Sequence, residues 1–496
     1  MNSILYWNEV ALEANRVSHT NGKQEQTGPT LSSRALAMVH LAMYDAYAGV
    51  INNIATHPMY QAGAGIAPAG ASYQAAVAAA AHFMLGKLFP SQKSFFDGKY
   101  QQAGLTGNGL IEGRDYGVKL AGLLWEERKS DPDASDLGYS SFNDRGRHRP
   151  DPDNPKQGYH APFYGKNSKC FSSDRYELDA PPQPGTASYT QALKEVKGKG
   201  IAPELMGTLP AGISKRKVDE TIIGIYWGYD GAVGLGTPPR LYNQIVREVS
   251  IKKNDGKPEE EAEASDVRLF ALVNVAMADA GILAWEQKYK HDFWRPVLGI
   301  REHDPSMGPG AAVGDDDILN DTDPEWLPFG APSTNAMNKP QEHSSAYPCQ
   351  QISGSNGIPK NFTPPFPAYP SGHATFGAAA LHMTRMFYEI DAENTTPDTL
   401  FDDMTFVSEE MNGVNTDNKG TIRPRHVRKF SGGLWQMIEE NGRSRVYLGV
   451  HWIFDAFAVD EDGNPDFTQN IGGVPLGLNI AKSIYGKGGG KGPVKA

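Results

Sequence analysis

Three cations, two histidines and the start of one helix, drawn from three separate stretches, are the groups in this chain with the means to do chemistry. The first stretch is Lys288-Tyr-Lys-His-Asp-Phe-Trp-Arg295-Pro296. Lys288 lies seven residues, about two helical turns, before Arg295, so a helix carried up to the proline places both charges on one face. Taken alone, such a pair reads as a solvated face. The second stretch is Pro364-Pro-Phe366-Pro-Ala-Tyr-Pro370-Ser371-Gly372-His373, leading into an Ala-rich run. Extended proline-rich chain delivers Ser371 and Gly372 to a helix N-terminus, where unpaired N–H groups and the macrodipole favour an anion. His373 adds an imidazole able to give or take a proton near neutrality. Alone, Ser-Gly is a helix cap. The third is Ser444-Arg445, then His451 and Asp455, read in a helical context. Asp455, one turn past His451, can hold one ring nitrogen so that the other serves as ligand or nucleophile. Alone, His451 is a satisfied core histidine.

The combination outweighs these separate readings. By average residue usage Lys-x6-Arg-Pro arises by chance with probability of roughly 0.06, and Pro-Ser-Gly-His and Ser-Arg-x5-His-x3-Asp about 0.003 each. Together they supply Lys288, Arg295 and Arg445 as cations, neutral donors from Ser371 and Gly372, and two histidines: the requirements of a tetrahedral or trigonal-bipyramidal oxyanion. No Gly-x4-Gly-Lys-Ser/Thr loop offers a nucleotide site, and no dense Asp/Glu/His set offers a divalent-metal site.

The elements that must position these groups read as helices. Helix-period apolar segments recur at 31–50, 69–88, 110–128, 217–227, 238–251, 267–289, 374–390, 428–440 and 444–457, while strand-like alternation is scarce. The fold class is all-α. Long Pro/Gly-rich stretches at 131–186 and 303–369 are expected either to cover a site or to be disordered. Met38-Val-His-Leu-Ala-Met-Tyr-Asp45-Ala46 aligns with Leu272-Val-Asn-Val-Ala-Met-Ala-Asp279-Ala280. Two related helical halves would explain that match, as would small residues recurring where helices pack closely. The boundary falls within 131–214, giving an N-terminal bundle over 1–200 and a site-bearing C-terminal bundle over 201–496.

Composition bounds the partners. The 496 residues carry 47 Lys and Arg against 58 Asp and Glu, a net charge of −11, which disfavours nucleic acid. No apolar run approaches the roughly 20 residues that cross a bilayer, and Met1 to Val10 lacks the basic and apolar parts of a leader, so no membrane partner is expected and the compartment stays open. Cys170 and Cys349 can make at most one bridge, whose existence depends on geometry. The segment from Gly486 to Ala496 reads as a mobile tail. Large helical surfaces leave room for a homo-oligomer.

The three motifs resemble the signature shared by type 2 phosphatidic acid phosphatases, bacterial class A acid phosphatases and vanadium-dependent haloperoxidases. The chain is most similar to the chloroperoxidase branch of the last group. Trp285, Pro364 and Phe366 stand where chloroperoxidases have Trp, Pro and Phe, and the segments Tyr159 to Gly165, Tyr226 to Gly231 and Gly236 to Arg247 are also similar. The resemblance implies two four-helix bundles with long irregular loops and a vanadate cofactor. It implies His451 as the vanadium ligand, and Lys288, Arg295, Ser371, Gly372 and Arg445 around the vanadate oxygens. His373 would move protons, Lys288 would polarise the oxidant, Asp230 would pair with Arg445, and Trp285 with Phe366 would form the halide pocket. The implied reaction oxidises bromide and, by the likeness at Phe366, chloride with hydrogen peroxide, giving hypohalous acid that halogenates small organic acceptors.

The motifs alone also fit a phosphomonoesterase with His451 as nucleophile and His373 as acid. A non-catalytic oxyanion-binding protein is the third reading, in which His373 would have no task. The extended likeness and the absence of a membrane segment favour the peroxidase.

Overall fold

Apolar residues at helical spacing become helix through most of the chain. The computed structural model describes residues 2–311, 321–331, 363–417 and 421–496. Cys349 and most of the second long loop therefore lie outside the described residues. The helices are α1 (Ser3–Ser18), α2 (Gly28–Ile51), α3 (Tyr73–Leu88), α4 (Lys93–Gln102), α5 (Leu110–Arg128), α6 (Tyr164–Asn167), α7 (Ala187–Lys199), α8 (Val218–Tyr226), α9 (Pro238–Lys253), α10 (Glu259–His291), α11 (Pro296–Arg301), α12 (Gly372–Phe387), α13 (Gly433–Tyr447) and α14 (Gly473–Gly488). Among the described residues the strands are two short antiparallel pairs, β1 (Thr405–Phe406) with β2 (Arg428–Lys429) and β3 (Ala458–Val459) with β4 (Pro465–Asp466). The all-α expectation holds.

Several expected boundaries do not. The helix of Lys288 ends at His291, where Asp292 takes a left-handed conformation (φ 48°), and Pro296 opens α11 with Arg295 as its N-cap. Proline at the first helical position starts a helix as readily as it stops one, so Lys288 and Arg295 occupy two elements, not one face. The expected helix over 444–457 is also absent as such. Chain from Arg428 enters as β2, α13 closes at Tyr447, and Gly449 turns the backbone at φ 72°. His451 and Asp455 therefore sit on a bend and a 3-10 turn. Residues 486–496 are docked: the Tyr44 hydroxyl donates to the Lys491 carbonyl (3.2 Å) and the Ala496 amide to that of Phe171 (3.1 Å).

The two matching stretches share a local arrangement. α2 and α10 carry the matching sequences and pack on each other. Each buries its aspartate completely, and each aspartate receives main-chain amides from a distant loop: Asp45 from Tyr60 (2.7 Å) and Gln61 (3.2 Å), Asp279 from Phe171 (2.6 Å), Ser172 (2.9 Å) and Ser173 (2.7 Å). Each half also contains an alanine-rich helix sealed by a Gly-x3-Gly pair. A Cβ at Gly113 or Gly117 of α5 would lie 2.3 Å and 2.1 Å from the Ser72 and Ala76 carbonyl oxygens, against α3. A Cβ at Gly473 or Gly477 of α14 would lie 2.5 Å from the Ser371 and Thr375 carbonyl oxygens, against α12. Contacts this close admit only hydrogen at those positions. Ser72 and Ser371 cap α3 and α12 in the same way, accepting the Ala75 and Ala374 amides.

One connected set of buried apolar side chains runs from Ile4 to Ile484. Contrary to the expectation that no run is long and apolar enough to cross a bilayer, α10 is so by length and composition, but 94% of its most apolar window is buried within the protein. It is the axis of the core, and Asn274 on it exchanges amide hydrogen bonds with Asn243 of α9 (2.9 and 3.1 Å).

Burial pushes the Asp45 carboxyl up to about 7, although the Tyr60 and Gln61 amides favour its charge. An unfolded aspartate titrates near 3.9, so the native state holds an extra proton between about 4 and 7. The stabilisation is complete below that window and is lost as pH rises through it. Asp45→Asn lacks this dependence, and denaturant unfolding at pH 5 and pH 8 is expected to show its deficit against wild type shrinking by more than about 1 kcal/mol at the higher pH. A deficit that is constant or grows would mean the carboxylate is charged in the fold.

Candidate functional site

The three motifs meet. The last turn of α10 supplies Lys288 and, one turn earlier, Trp285; the N-cap of α11 supplies Arg295; the last turn of α13 and the bend after it supply Arg445 and His451; the start of α12 supplies Ser371, Gly372 and His373. They surround a cavity of about 220 Å³, whose lining includes Gly372, His373, Arg445 and His451 at one end and Trp285 and Phe366 along the wall. A more open groove of about 860 Å³ shows no such convergence, its Arg16, Arg240 and Arg247 being paired with Glu13, Glu409 and Glu9.

Each cation is held differently. Lys288 is fully buried, and its ammonium donates to the carbonyls of Pro367 (2.9 Å), Ala368 (3.1 Å) and Pro370 (2.5 Å). Burial, reinforced by Arg295, drives its pKa well down. Arg295 donates through Nε to the Phe366 carbonyl (2.9 Å) and through Nη1 to the Val450 carbonyl (2.7 Å) and His451 Nε2 (2.9 Å). Arg445 grips Asp230 through both terminal nitrogens (3.1 and 2.6 Å). The Phe366 ring lies between two of these charges, 5.0 Å from Lys288 Nζ and 4.9 Å from Arg295 Cζ. Such cation–π contacts are strongest where water is excluded.

Two guanidinium nitrogens are left over: Arg295 Nη2 and Arg445 Nε are buried without a hydrogen-bond partner among the described residues. Buried charged donors are normally satisfied, so a pair of orphans beside one cavity marks the place of an acceptor. Three cations face two carboxylates, Asp230 and Asp455, and burial raises both carboxyls, Asp455 to about 7. The hollow is net positive, which suits an oxyanion.

The histidines are set as neutral bases. His451 Nδ1 donates to Asp455 Oδ2 (2.8 Å), which also accepts the Trp452 amide (3.0 Å), so the Nε2 lone pair faces Arg295. This is the carboxylate-oriented imidazole expected of a ligand or nucleophile. His373 Nε2 donates to the Gly228 carbonyl (2.7 Å) and lies 3.8 Å from Asp230 Oδ1, which leaves Nδ1 as the basic atom. Burial, followed by the charges of Arg295 at His451 and Arg445 at His373, holds both rings well below the usual imidazole range. Ser371 Oγ accepts the Ala374 amide at 3.4 Å, a long cap that leaves its proton free to donate. A Cβ at Gly372 would stand 3.3 Å from the Trp285 ring, so the glycine is what lets the indole close over the helix start.

All ten expected site residues converge here. Lys288 arrives with its N–H groups taken by carbonyls, so in this arrangement it offers charge and not a free donor. Sequence reading did not single out His160, His19 or the Gly228 carbonyl. His160 falls within the Tyr159 to Gly165 likeness and Gly228 within that of Tyr226 to Gly231, which were the available signals; His19 carries none.

Known proteins resemble the chain along most of its length. Residues 1–100 match the family model of the vanadium chloroperoxidase N-terminal domain, and residues 268–465 match that of the VCPO second helical-bundle domain. The chain is 35% identical over 594 aligned residues to vanadium chloroperoxidase from Curvularia inaequalis, covering 98% of this chain and 90% of that protein. Its fold is shared with a bacterial vanadium-dependent iodoperoxidase (TM-score 0.59, 18% identity, 97% of this chain and 95% of that one). It is also shared with a holo-type bacterial vanadium-dependent chloroperoxidase (TM-score 0.57, 15% identity, 95% of each chain).

Replacing Asp455 by asparagine removes the carboxylate charge and puts an NH2 donor in competition for the acceptor position that fixes the His451 tautomer. Losing such an outer partner costs about 10–100-fold in metal affinity, and calorimetric titration of Asp455→Asn with vanadate is expected to fall in that range. Affinity within threefold of wild type would show the ring to be oriented by something else.

Proposed function

The chain belongs to the vanadium chloroperoxidase family, and from that premise we propose how its own residues work. The protein is a vanadium-dependent haloperoxidase, an oxidoreductase in which hydrogen peroxide oxidises a halide. The observation that carries the assignment of residues is the pair of buried, unpartnered N–H groups, Arg295 Nη2 and Arg445 Nε, beside the neutral His451 ring. These donors fit vanadate: they call for an oxyanion, and His451 Nε2 offers a nitrogen ligand at the same place.

In this reading His451 would hold vanadium through Nε2, which requires Arg295 Nη1 to give up its 2.9 Å hydrogen bond to that atom, while Asp455 keeps the ring oriented from Nδ1. Arg295, Arg445, the Ser371 hydroxyl and the Gly372 N–H hold the oxyanion oxygens, with the first turn of α12 adding its dipole. Lys288 supplies positive charge from behind the Pro367 to Pro370 carbonyls; direct donation to a bound group requires it to give up one of them. When bound, vanadate supplies a Lewis-acid centre that makes peroxide susceptible to attack by halide. His373 Nδ1 would accept a proton from hydrogen peroxide and hold it beside the oxyanion site for return during turnover. Asp230 anchors Arg445 and stabilises the imidazolium formed at His373, from 3.8 Å away. Trp285 and Phe366 wall the halide side and exclude water, which strengthens every charge interaction inside. Bromide is the more easily oxidised halide and chloride the harder one. Hypohalous acid released from the cavity halogenates small organic acceptors.

Bromination of monobromodimedone and hydrolysis of p-nitrophenyl phosphate, each assayed with and without vanadate, test the reaction. Bromination that needs vanadate and is lost on removing it is expected; phosphate release that vanadate suppresses, without bromination, would assign the site to a phosphomonoesterase. His373→Ala is expected to lower kcat by about 10²–10⁴, the usual worth of a positioned acid–base, while vanadate affinity changes little. Parallel loss of binding and turnover would make His373 a binding residue.

A further inference from the structure

The mouth of the cavity carries two histidines that the reaction above does not use, His19 and His160. His19 is committed: Nδ1 pairs with the Asn15 carbonyl (2.8 Å) and Nε2 accepts the Gly28 amide (3.1 Å). His160 is not. Its Nε2 lies 3.1 Å from the hydroxyl of Thr30, a fully buried residue whose hydroxyl has that ring nitrogen as its one hydrogen-bond partner among the described residues. The hydroxyl proton therefore goes to Nε2. The reverse arrangement would bury an O–H donor with no acceptor, which is costlier than an under-used oxygen lone pair. The imidazole proton is then on Nδ1, an atom with no protein partner among the described residues. Burial pushes the ring down to about 4 and so keeps it a neutral, single donor.

The ring is fixed in place. It stands edge-on to Trp285 (centroids 5.9 Å apart) and tilted against Phe366 (6.1 Å). The His160 carbonyl accepts the Trp285 indole N–H (3.2 Å) and the Tyr289 hydroxyl (2.8 Å), and its amide donates to the Pro365 carbonyl (2.8 Å). Gly28 packs on the ring so closely that a Cβ there would lie 2.3 Å from Cε1. Thr27, Gly28 and Pro29 line the same cavity, where the 24-residue helix α2 begins without a side-chain cap.

Trp285 and Phe366 alone offer an anion only apolar contact, and an ion stripped of water needs donors. We propose that His160 Nδ1–H, together with the positive end of α2, binds the halide ion against Trp285 and Phe366, making His160 a specificity-determining residue for that substrate. The proposal rests on the haloperoxidase reading. In about 220 Å³ shared with an oxyanion, a monatomic anion is what this corner accommodates.

Crystals soaked in bromide are expected to show an anomalous peak beside His160 Nδ1, with or without vanadate, and to lose it in His160→Phe. In steady-state assays His160→Phe is expected to raise the bromide KM about tenfold. His160→Gln, whose amide can restore an N–H there, should stay within threefold of wild type. Calorimetric vanadate affinity, moving less than twofold in both variants, verifies that the site is intact. A bromide peak elsewhere in the cavity, or a His160→Phe KM within twofold of wild type, overturns the proposal. Failure of wild-type, vanadate-loaded protein to oxidise any halide would instead remove the haloperoxidase reading, and the bromide peak would still be read on its own.

Discussion

Keeping three positive charges together out of water is the constraint from which the rest of this structure follows. Repulsion among Lys288, Arg295 and Arg445 grows as the surrounding dielectric falls, so each is given a different countermeasure. Lys288 is wrapped by three main-chain carbonyls, Arg445 is clamped by Asp230, and Arg295 spreads its hydrogen bonds over two carbonyls and a ring nitrogen. The proline-rich approach to α12 matters here for a reason besides geometry. Proline-interrupted extended chain is not drawn into a helix or sheet ladder, so the carbonyls of Pro367, Ala368 and Pro370 are free to accept from a buried ammonium. What remains after these measures is an excess of positive charge and two orphaned donors, which an oxyanion completes.

The scaffold around this centre is built twice. α2 and α10 each anchor a remote loop on a buried aspartate, and α3 and α12 each begin at a serine cap and are sealed by a neighbouring helix with a Gly-x3-Gly face. Only one copy is reactive. After Ser72 come Tyr73 and Gln74, where Gly372 and His373 follow Ser371. The helix start that offers an anion site in the second half is thus a plain cap in the first.

Much of this was legible in the sequence because the reactive groups lie in short stretches with rare spacing, and because Ala-rich helices such as α2, α10 and α12 carry strong periodicity. What was not legible has physical causes. Pro296 was ambiguous between ending one helix and starting another, and only the left-handed turn at Asp292 decides it. The end of α13 depends on Gly449, whose positive φ is not announced by its neighbours. α14 contains four glycines, a composition that local propensity disfavours, and it is helical because packing against α12 outweighs that preference. His160 escaped attention since its significance depends on Thr30 and Gly28, which lie about 130 residues away in sequence.

The Gly-x3-Gly face of α14 has a consequence for how this centre could be altered. The Ser371 carbonyl against which Gly473 rests belongs to the residue just before Gly372, which lines the cavity, so a packing contact on the outer side of α12 sets the aim of the helix start on its inner side. The two helices act as a single stiff wedge, and there is no slack between them to absorb a side chain. Efforts to reshape the enzyme for other substrates are therefore best directed at the mouth, around Thr27 to Pro29 and Pro364, with α14 left as the fixed mount on which the reactive groups are registered.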